Sequence, residues 1–423
     1  MYKSSEKQLD SNNIFKKGVS WNVVSFGVVG VLTAFVYGII SGTYGATALG
    51  TYSLALTIFS LLGRVGVCGQ QTAIVYFLAQ NDNLERVLSA IFVIVTVISV
   101  FVSTLTYMCS RWVAQEIFHN AYLGKYLEMV APAIVLFSIN KFLLGYLNGQ
   151  KRMKEYAIIQ MLRYIIIVVY ILIIVLLGFE LEITAFSFLL SEIIVSLLLF
   201  LKLKKEICWR TPRKKELKRV FAFGSKAMLT GIVAEINTKI DVLMIGMFCT
   251  SMEVGIYSYI SLFVTGIIGV LNVFFVNYNP VFAEIYQKKD MDSLIVTCKK
   301  IQKNITMLIA LSSVCIIIGY YIMCHLWLEN IYMLSILPLI IVLIGMVFMS
   351  SMYVCSNVCT QSGKPLWDTI TTSITMLVNI IMNGILVPRL GIIGAAGATM
   401  ISYIIYAVLI SVNIKRLTKS FRI

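Results

Sequence analysis

Eight charged side chains interrupt long apolar stretches of this sequence, and they are the residues with which the chain could do chemistry. A charge at the middle of a bilayer costs at least about 2.5–3.5 kcal/mol on insertion scales, so such residues usually face a cavity or a partner. The basic members outnumber the acidic ones, and a cationic interior can replace the hydration of an anionic ligand such as a diphosphate. The basic set is Arg64, Lys141, Arg163, Lys226 and Lys239, and the acidic set is Glu192, Glu235 and Asp241.

Arg64 is the leading candidate for contact with such a ligand. It lies near the middle of its apolar stretch, among three glycines spaced three residues apart. Glycines allow close backbone approach or a local distortion of a helix. Contact with substrate is one interpretation of Arg64, and an interhelical ion pair or a snorkelling side chain is the other. Lys141 and Arg163 are expected in the inner halves of their stretches, where they line the cavity or snorkel to the interface.

One apolar stretch in the middle of the chain carries four of the charges. Glu235 and Lys239 are four residues apart on one helical face, in the order that favours a local ion pair. Lys226 and Asp241 project from a different face, so one of the two faces is expected to line a cavity. Asp241, Glu235 and Glu192 are candidates for taking up a proton or a sodium ion, with a purely structural role as the alternative.

The composition shows which solvent surrounds these charges. Of 423 residues, 59% are hydrophobic and 13% are charged, and the mean hydropathy is +0.88. A soluble domain carries roughly 25% charged residues, so this chain has too few to cover a surface that faces water. The net charge of +15 does not indicate a nucleic-acid partner, because the basic residues lie in short loops between apolar runs. That placement is typical of loops beside an anionic cytoplasmic leaflet.

The apolar stretches predict an all-α integral membrane protein with about twelve transmembrane helices. A helix that crosses about 30 Å of hydrocarbon needs about 20 mostly apolar residues. Stretches longer than this imply tilt or extension beyond the bilayer. The predicted spans are 18–40, 47–79, 87–109, 126–148, 156–178, 183–203, 221–248, 254–283, 303–325, 332–358, 367–388 and 391–413.

The distribution of basic residues orients these spans. With a cytoplasmic N-terminus, 27 of the 35 Lys and Arg residues fall in inner segments and three fall in outer ones. Such an excess follows the positive-inside rule and predicts that both termini are cytoplasmic. No predicted outer loop exceeds about 16 residues. We therefore expect a multi-pass protein of the bacterial inner membrane without an extracellular domain.

Similar motifs recur at a nearly constant spacing and divide the chain in two. The offsets of 205–206 residues relate the F-x-x-G motifs at 15–18 and 221–224, the G-x-Y-S motifs at 50–53 and 255–258, and Pro132 and Pro338. Six spans per half is an even number, so both halves enter the membrane in the same direction. The predicted organisation is an N-terminal six-helix lobe at 1–203, a basic cytoplasmic linker at 204–220 and a C-terminal six-helix lobe at 221–423, with the two parallel lobes around a central cavity.

Three segments carry a resemblance to a known family. They are ATALGTYSLALTIFSLLGRVGVCGQQTAIVYFLAQ at 46–80, GYLNGQ at 145–150, and IDVLMIG at 240–246 followed by VGIY at 254–257. These segments resemble the second helix, the end of the fourth helix and the start of the second lobe of polysaccharide repeat-unit flippases, which transport O-antigen and capsule units. Such flippases belong to the multidrug/oligosaccharidyl-lipid/polysaccharide exporter superfamily, and with the twelve-span layout the resemblance covers nearly the whole chain.

The resemblance implies a function without covalent chemistry. Members of the family use a V-shaped pair of lobes and alternating access to move an undecaprenyl-diphosphate-linked oligosaccharide to the outer leaflet, for surface polysaccharide such as lipopolysaccharide O-antigen or capsule. The implied partners are this lipid-linked glycan, membrane lipids and other polysaccharide assembly proteins. No cofactor is expected beyond H⁺ or Na⁺ as a coupling ion. Candidates for hydrogen bonds to sugar hydroxyls, or alternatively to neighbouring helices, are Asn22, Tyr257, Asn272 and Asn277.

Two other functions compete with the flippase. A cation-coupled multidrug exporter of the same superfamily binds cationic compounds, and is expected to display carboxylates rather than an excess of Arg and Lys. A glycan polymerase or ligase commonly needs a sizeable outer loop with clustered catalytic groups, whereas here His119 and His325 stand without nearby paired carboxylates. The sequence contains no Walker A motif, nucleotide-binding glycine loop or metal-ligand spacing, so we expect no enzyme and no ATP-driven pump in this chain alone.

Overall fold

The computed structural model describes residues 2–80, 84–207, 209–288 and 290–420, with side-chain detail from Trp21 onward. Nearly all of this part of the chain is helical and none of it forms a strand, which confirms the predicted all-α fold. The helices are α1 (Tyr2–Tyr44), α2 (Ala46–Val67), α3 (Gln70–Gln80), α4 (Leu84–Trp112), α5 (Ala121–Gly149), α6 (Met153–Leu176), α7 (Phe186–Leu203), α8 (Lys214–Phe248), α9 (Ser251–Gln287), α10 (Met291–Leu326), α11 (Ile336–Cys355), α12 (Asn357–Gln361) and α13 (Pro365–Ser420).

Within the described residues, ten helical segments are long and apolar enough to cross a membrane. Twelve spans were predicted, and two features account for the difference. The predicted spans at 367–388 and 391–413 lie on either side of a kink in α13, where Gly391 has non-helical backbone, and the ten segments include the two as one. The predicted span at 221–248 lies in α8. This span contains four charged residues, which lower its mean hydropathy, and it is not among the ten. The chain is therefore a multi-pass membrane protein with roughly the predicted number of spans.

The second predicted span, 47–79, is two helices joined by a sharp break. α2 ends at Val67, and Cys68 and Gly69 both adopt left-handed backbone, with φ of 49° and 66°. Gly69 is required here for space as well, because a Cβ on it would lie 2.2 Å from the carbonyl oxygen of Gly224 on α8. The break lets α3 leave in a new direction, and it follows Arg64 by one helical turn.

The chain divides into two compact units, Met1–Glu235 and Ile236–Ile423. In the first unit α5 is the central helix, and it packs against α2, α3, α4 and α7 while α6 packs against α1 and α7. Its core includes Phe77, Ile91 and Phe142. Pro132 lies inside α5, where it removes one intrahelical hydrogen bond.

The second unit is organised around α11. This helix packs against α9, α10 and α13, and the short α12 packs against α9 and α13. α9 begins with a capping box, in which Thr250 and Glu253 exchange hydrogen bonds with each other's backbone N–H groups. The predicted lobe boundaries, with a linker at 204–220, stay a prediction.

Candidate functional site

A cavity of about 480 Å³ lies in the first unit, walled by α1, α2, α5, α6 and α7 and by the end of that unit on α8. We call it the charged cavity, because its lining includes five of the eight charged residues singled out from the sequence. It also carries amide and hydroxyl groups beside aromatic and aliphatic walls. Its charged lining residues are Arg64, Lys141, Arg163, Glu192 and Glu235.

Arg163 and Glu192 form the most buried ion pair of the cavity, with side chains 7% and 2% exposed. Arg163 Nε lies 2.7 Å from Glu192 Oε1, and Nη2 donates to Oε2 at 3.3 Å. Asn140 donates to the same Oε2 at 2.8 Å, and Arg163 Nη1 donates to the Gln160 side chain at 2.5 Å. Arg163 Nε meets Oε1 as an ion-pair contact without the alignment of a hydrogen bond. The hydrogen bonds to Oε2 and to Gln160 are the kind of contacts that a buried ion pair needs to offset its desolvation. The pair therefore orders α5, α6 and α7 around the cavity.

Arg64 on α2 is paired with Glu235 on α8, from Nε to Oε2 at 3.1 Å. Glu235 is 16% exposed, while Arg64 is 44% exposed. Among the described residues, neither terminal nitrogen of Arg64 has a hydrogen-bond acceptor. The guanidinium therefore keeps its planar fork available to an anion in the cavity. The predicted pairing of Glu235 with Lys239 stays a prediction.

Lys141 supplies the third cation of the charged cavity. Its ammonium nitrogen lies 5.1 Å from the centre of the Phe137 ring, and the Arg163 guanidinium carbon lies 5.5 Å from the same centre. No carboxylate of the described chain lies within ion-pair distance of Lys141. Of the described residues that line the cavity, three cations thus face two carboxylates, and the excess positive charge resides on Lys141.

A second polar cluster surrounds Asp241 in the second unit. Asp241 Oδ2 accepts hydrogen bonds from Tyr257 at 3.0 Å and from Thr399 at 2.5 Å. Its Oδ1 accepts one from Asn383 Nδ2 at 2.9 Å. Asn379 accepts from Asn383 and donates to Thr399 at 3.4 Å. We call these five residues the Asp241 cluster.

One atom of the Asp241 cluster stands out because it has no partner. Asn383 is fully buried, and its Oδ1 makes no hydrogen bond to any described residue. A buried carbonyl oxygen without a donor costs about 1–3 kcal/mol, so such an oxygen usually accepts from a water or binds an ion. The cluster concentrates carboxylate, amide and hydroxyl oxygens, which are the groups that bind small hard cations.

The remaining predicted residues lie in different surroundings. Asn22 lines the charged cavity, where its amide contacts the Met153 sulfur. Asn272 accepts a hydrogen bond from Tyr353 at 2.7 Å, and Tyr257 belongs to the Asp241 cluster. The exposed residues Asn277 and Lys226 and the half-buried Lys239 are on α9 and α8. Within the described ranges, no three His, Cys, Asp or Glu residues are grouped as metal ligands.

Sequence reasoning missed the neutral polar residues that complete both sites. Asn140 and Gln160 hold the Arg163–Glu192 pair, and Asn379, Asn383 and Thr399 surround Asp241. A signal was available in one case, since Asn379 and Asn383 are four residues apart inside an apolar stretch and therefore share a helical face.

Comparison with known proteins supplies the family. A family model described as "Polysaccharide biosynthesis protein" matches residues 44–308. This is well over half of the chain and includes the whole of the charged cavity from α2 onward. None of the curated proteins matches the sequence significantly.

Solved structures show the fold of this chain. An inward-facing multidrug resistance MATE family transporter of the MOP superfamily is 15% identical, with a TM-score of 0.77 over 93% of this chain and 95% of that one. The lipid II flippase MurJ, in an inward closed conformation, is 19% identical, with a TM-score of 0.75 over 93% of this chain and 87% of that one. A MOP superfamily transporter from Pyrococcus furiosus, described as having a binding pocket of reverse polarity, is 15% identical, with a TM-score of 0.65 over 96% and 97%. The chain therefore has the fold of MATE and MurJ transporters.

Proposed function

Since the chain belongs to the polysaccharide biosynthesis protein family, we propose that it is a flippase for undecaprenyl-diphosphate-linked oligosaccharide repeat units. It moves these units from the cytoplasmic to the outer leaflet of the bacterial inner membrane by alternating access, for the synthesis of surface polysaccharide such as O-antigen or capsule. Both termini are cytoplasmic in this proposal, as the basic loops indicate. The chemistry is transport, and no covalent bond changes.

The observation that carries the proposal is the excess of cations in the charged cavity. Among the described residues, Lys141 has no carboxylate partner, and Arg64 is bound through one of its three nitrogens only. A diphosphate brings negative charges that such groups bind with charge-assisted hydrogen bonds. A cationic drug entering the same space would meet an uncompensated lysine, and this disfavours the multidrug exporter as the function of the chain.

We also propose that transport is coupled to a cation bound at the Asp241 cluster. The Asn383 Oδ1 without a donor, the Asp241 carboxylate and the Thr399 hydroxyl together offer oxygen ligands of the kind that Na⁺ takes. Binding there neutralises a carboxylate inside the membrane, so it changes the free energy of the conformations in which the cluster is closed to water. Protons are the alternative ion, and a response to pH in place of Na⁺ would assign the site to them.

Deleting the gene and locating the lipid-linked units distinguishes the candidate functions. The flippase predicts full-length undecaprenyl-linked units that stay on the cytoplasmic leaflet, inaccessible to a lectin added outside spheroplasts. Unpolymerised units on the outer leaflet would instead identify a polymerase. Normal surface polysaccharide together with increased sensitivity to lipophilic cationic drugs would identify an exporter.

A further inference from the structure

A second hollow of about 500 Å³ opens in the first unit beside the charged cavity, and the two share Arg64. We call it the amide groove. The described residues of its lining include no carboxylate, and Arg64 is the one charged residue among them. Its lining residues are Arg64, Gln71, Thr72, Val75, Tyr76, Asn148 and Phe223.

One face of α3 builds most of the amide groove. Gln71, Thr72, Val75 and Tyr76 lie one helical turn apart in two pairs, so their side chains share that face. α3 packs directly on α5, which brings Asn148 from the end of α5 to the same hollow. α3 begins immediately after the two left-handed residues, Cys68 and Gly69, so the break after α2 sets the orientation of this face.

The neutral polar side chains of the groove have no hydrogen-bond partner in the part of the chain that the structure describes. The side chains of Gln71, Thr72, Tyr76 and Asn148 make no hydrogen bond to the described residues, although each can both donate and accept. Tyr76 is 43% exposed and is stacked on Phe223, with ring centres 4.5 Å apart and planes within 16°. Phe223 therefore holds the tyrosine ring in a fixed orientation at the wall of the groove.

These features match a neutral, polyhydroxylated ligand rather than an ion or a lipid tail. Amide and hydroxyl groups exchange paired hydrogen bonds with sugar hydroxyls, and an aromatic ring packs against the apolar C–H face of a pyranose. Ligand sites typically combine apolar walls with a few polar groups that fix orientation, as here. An acyl chain would leave these four neutral polar side chains without partners.

We propose that the amide groove is the saccharide subsite of the transporter, with Arg64 at its junction to the charged cavity. The inference rests on the proposed function. The diphosphate binds Arg64 and the cations of the charged cavity, and the sugar nearest the diphosphate binds Gln71, Thr72, Asn148 and the Tyr76 ring. In the predicted orientation the groove lies at the cytoplasmic ends of α3 and α5, where glycans that are built in the cytoplasm arrive.

Binding of two probes to the purified full chain in phosphatidylcholine nanodiscs tests the subsite. One probe is undecaprenyl diphosphate, and the other is the undecaprenyl-diphosphate-linked oligosaccharide isolated from cells that lack the gene. The wild type should bind the glycan-bearing probe at least about tenfold more tightly, since two or three sugar hydrogen bonds supply that difference. The variants Gln71→Ala/Asn148→Ala and Tyr76→Leu should lose this difference and bind undecaprenyl diphosphate as the wild type does.

Matched controls lie away from the groove. Tyr107→Leu on α4 and Gln115→Ala on the π-helix that follows it, Val113–Ile117, remove the same kinds of exposed side chain. They should leave the tenfold difference intact. Equal binding of the two probes to the wild type, or a difference that survives in the groove variants, would overturn the saccharide subsite. Failure of undecaprenyl diphosphate itself to bind the wild type would overturn the proposed function together with the subsite.

Discussion

The Nε atom of Arg64 lies 3.1 Å from Oε2 of Glu235, and this single hydrogen bond joins α2 to α8 at the edge of the charged cavity. The pair uses one of the three guanidinium nitrogens. A guanidinium bound on one side can still present its other donors to a phosphate group. Arg64 can therefore hold the structure together and contact an anionic substrate at the same time.

Replacing Arg64 by glutamate should abolish glycan export. The variant places two carboxylates against each other and removes the cation shared by the charged cavity and the amide groove. Surface polysaccharide should fall at least about tenfold, which corresponds to about 1.4 kcal/mol of lost transition-state stabilisation. The measurement is surface glycan per cell in a deletion strain that expresses the variant at wild-type level.

Two controls separate substrate contact from the ion pair. Arg111→Glu disrupts a comparable interhelical pair with Glu128, at 2.6 Å, and should leave export unchanged. The exchange Arg64→Glu/Glu235→Arg should restore protein level without restoring export. Wild-type export in Arg64→Glu would remove this residue from the mechanism, and full activity in the exchange variant would limit it to a structural role.

Lys141→Met should weaken substrate binding without destabilising the protein. No carboxylate in the described ranges is paired with Lys141, so its removal leaves no buried charge unpaired there. We expect the dissociation constant for undecaprenyl diphosphate to rise about tenfold, as the loss of one charge-assisted hydrogen bond allows. The thermal midpoint should stay equal or rise. The control is Lys125→Met, because the Lys125 ammonium is paired with the Glu182 carboxylate. An unchanged affinity for undecaprenyl diphosphate would contradict the role of Lys141.

The Arg163–Glu192 pair should behave as a coupled structural unit. Removing either member leaves the other charge buried, so Arg163→Met and Glu192→Leu should each lower the free energy of unfolding by about 3–5 kcal/mol. The double variant should lose clearly less than the sum of the two. A double-mutant cycle of unfolding in detergent measures this coupling. Additive losses would show that the two side chains do not stabilise each other.

Sodium should stabilise the protein through the Asp241 cluster. Anything that binds the folded state alone raises its stability, by about 2.7 kcal/mol at a hundred times the dissociation constant. We therefore expect a higher thermal midpoint in NaCl than in KCl of equal ionic strength. The variants Asp241→Asn and Asn383→Leu should abolish this difference, while Asn277→Leu, on the exposed part of α9, should retain it. Equal midpoints in the two salts for the wild type would refute a sodium site.

The fold could be predicted largely from the lengths of the apolar stretches and from the basic residues in the loops, since a helix that crosses a bilayer has a fixed minimum length. The internal breaks were harder to predict. The stretch at 47–79 is too long for one straight span, but the left-handed backbone at Cys68 depends on the tight packing of Gly69 against Gly224. The kink that separates the last two predicted spans within α13 likewise lies at a single residue, Gly391, whose φ is 56°.

The site could be predicted in its charges but not in its pairings. Each charge inside an apolar stretch is conspicuous, and five of the eight line one cavity. Helical periodicity identifies only neighbours on the same helix, so it predicts Lys239 as the ion-pair partner of Glu235. It cannot show Arg64, which is 171 residues away along the chain. Nothing in the sequence distinguishes Asn140 and Gln160 from other polar residues inside apolar stretches, so their contacts with the Arg163–Glu192 pair could not be predicted. The amide groove could not be predicted either, because it forms only where α3 packs on α5.

The most direct test of the account is translocation by the purified protein. Proteoliposomes are prepared with undecaprenyl-diphosphate-linked oligosaccharide, and the fraction in the outer leaflet is followed with a membrane-impermeant lectin under a sodium gradient. We expect vesicles with the wild-type protein to redistribute the glycan at least about tenfold faster than protein-free vesicles. Vesicles with Arg64→Glu should be no faster than protein-free ones. Equal rates for wild-type and protein-free vesicles would contradict the flippase.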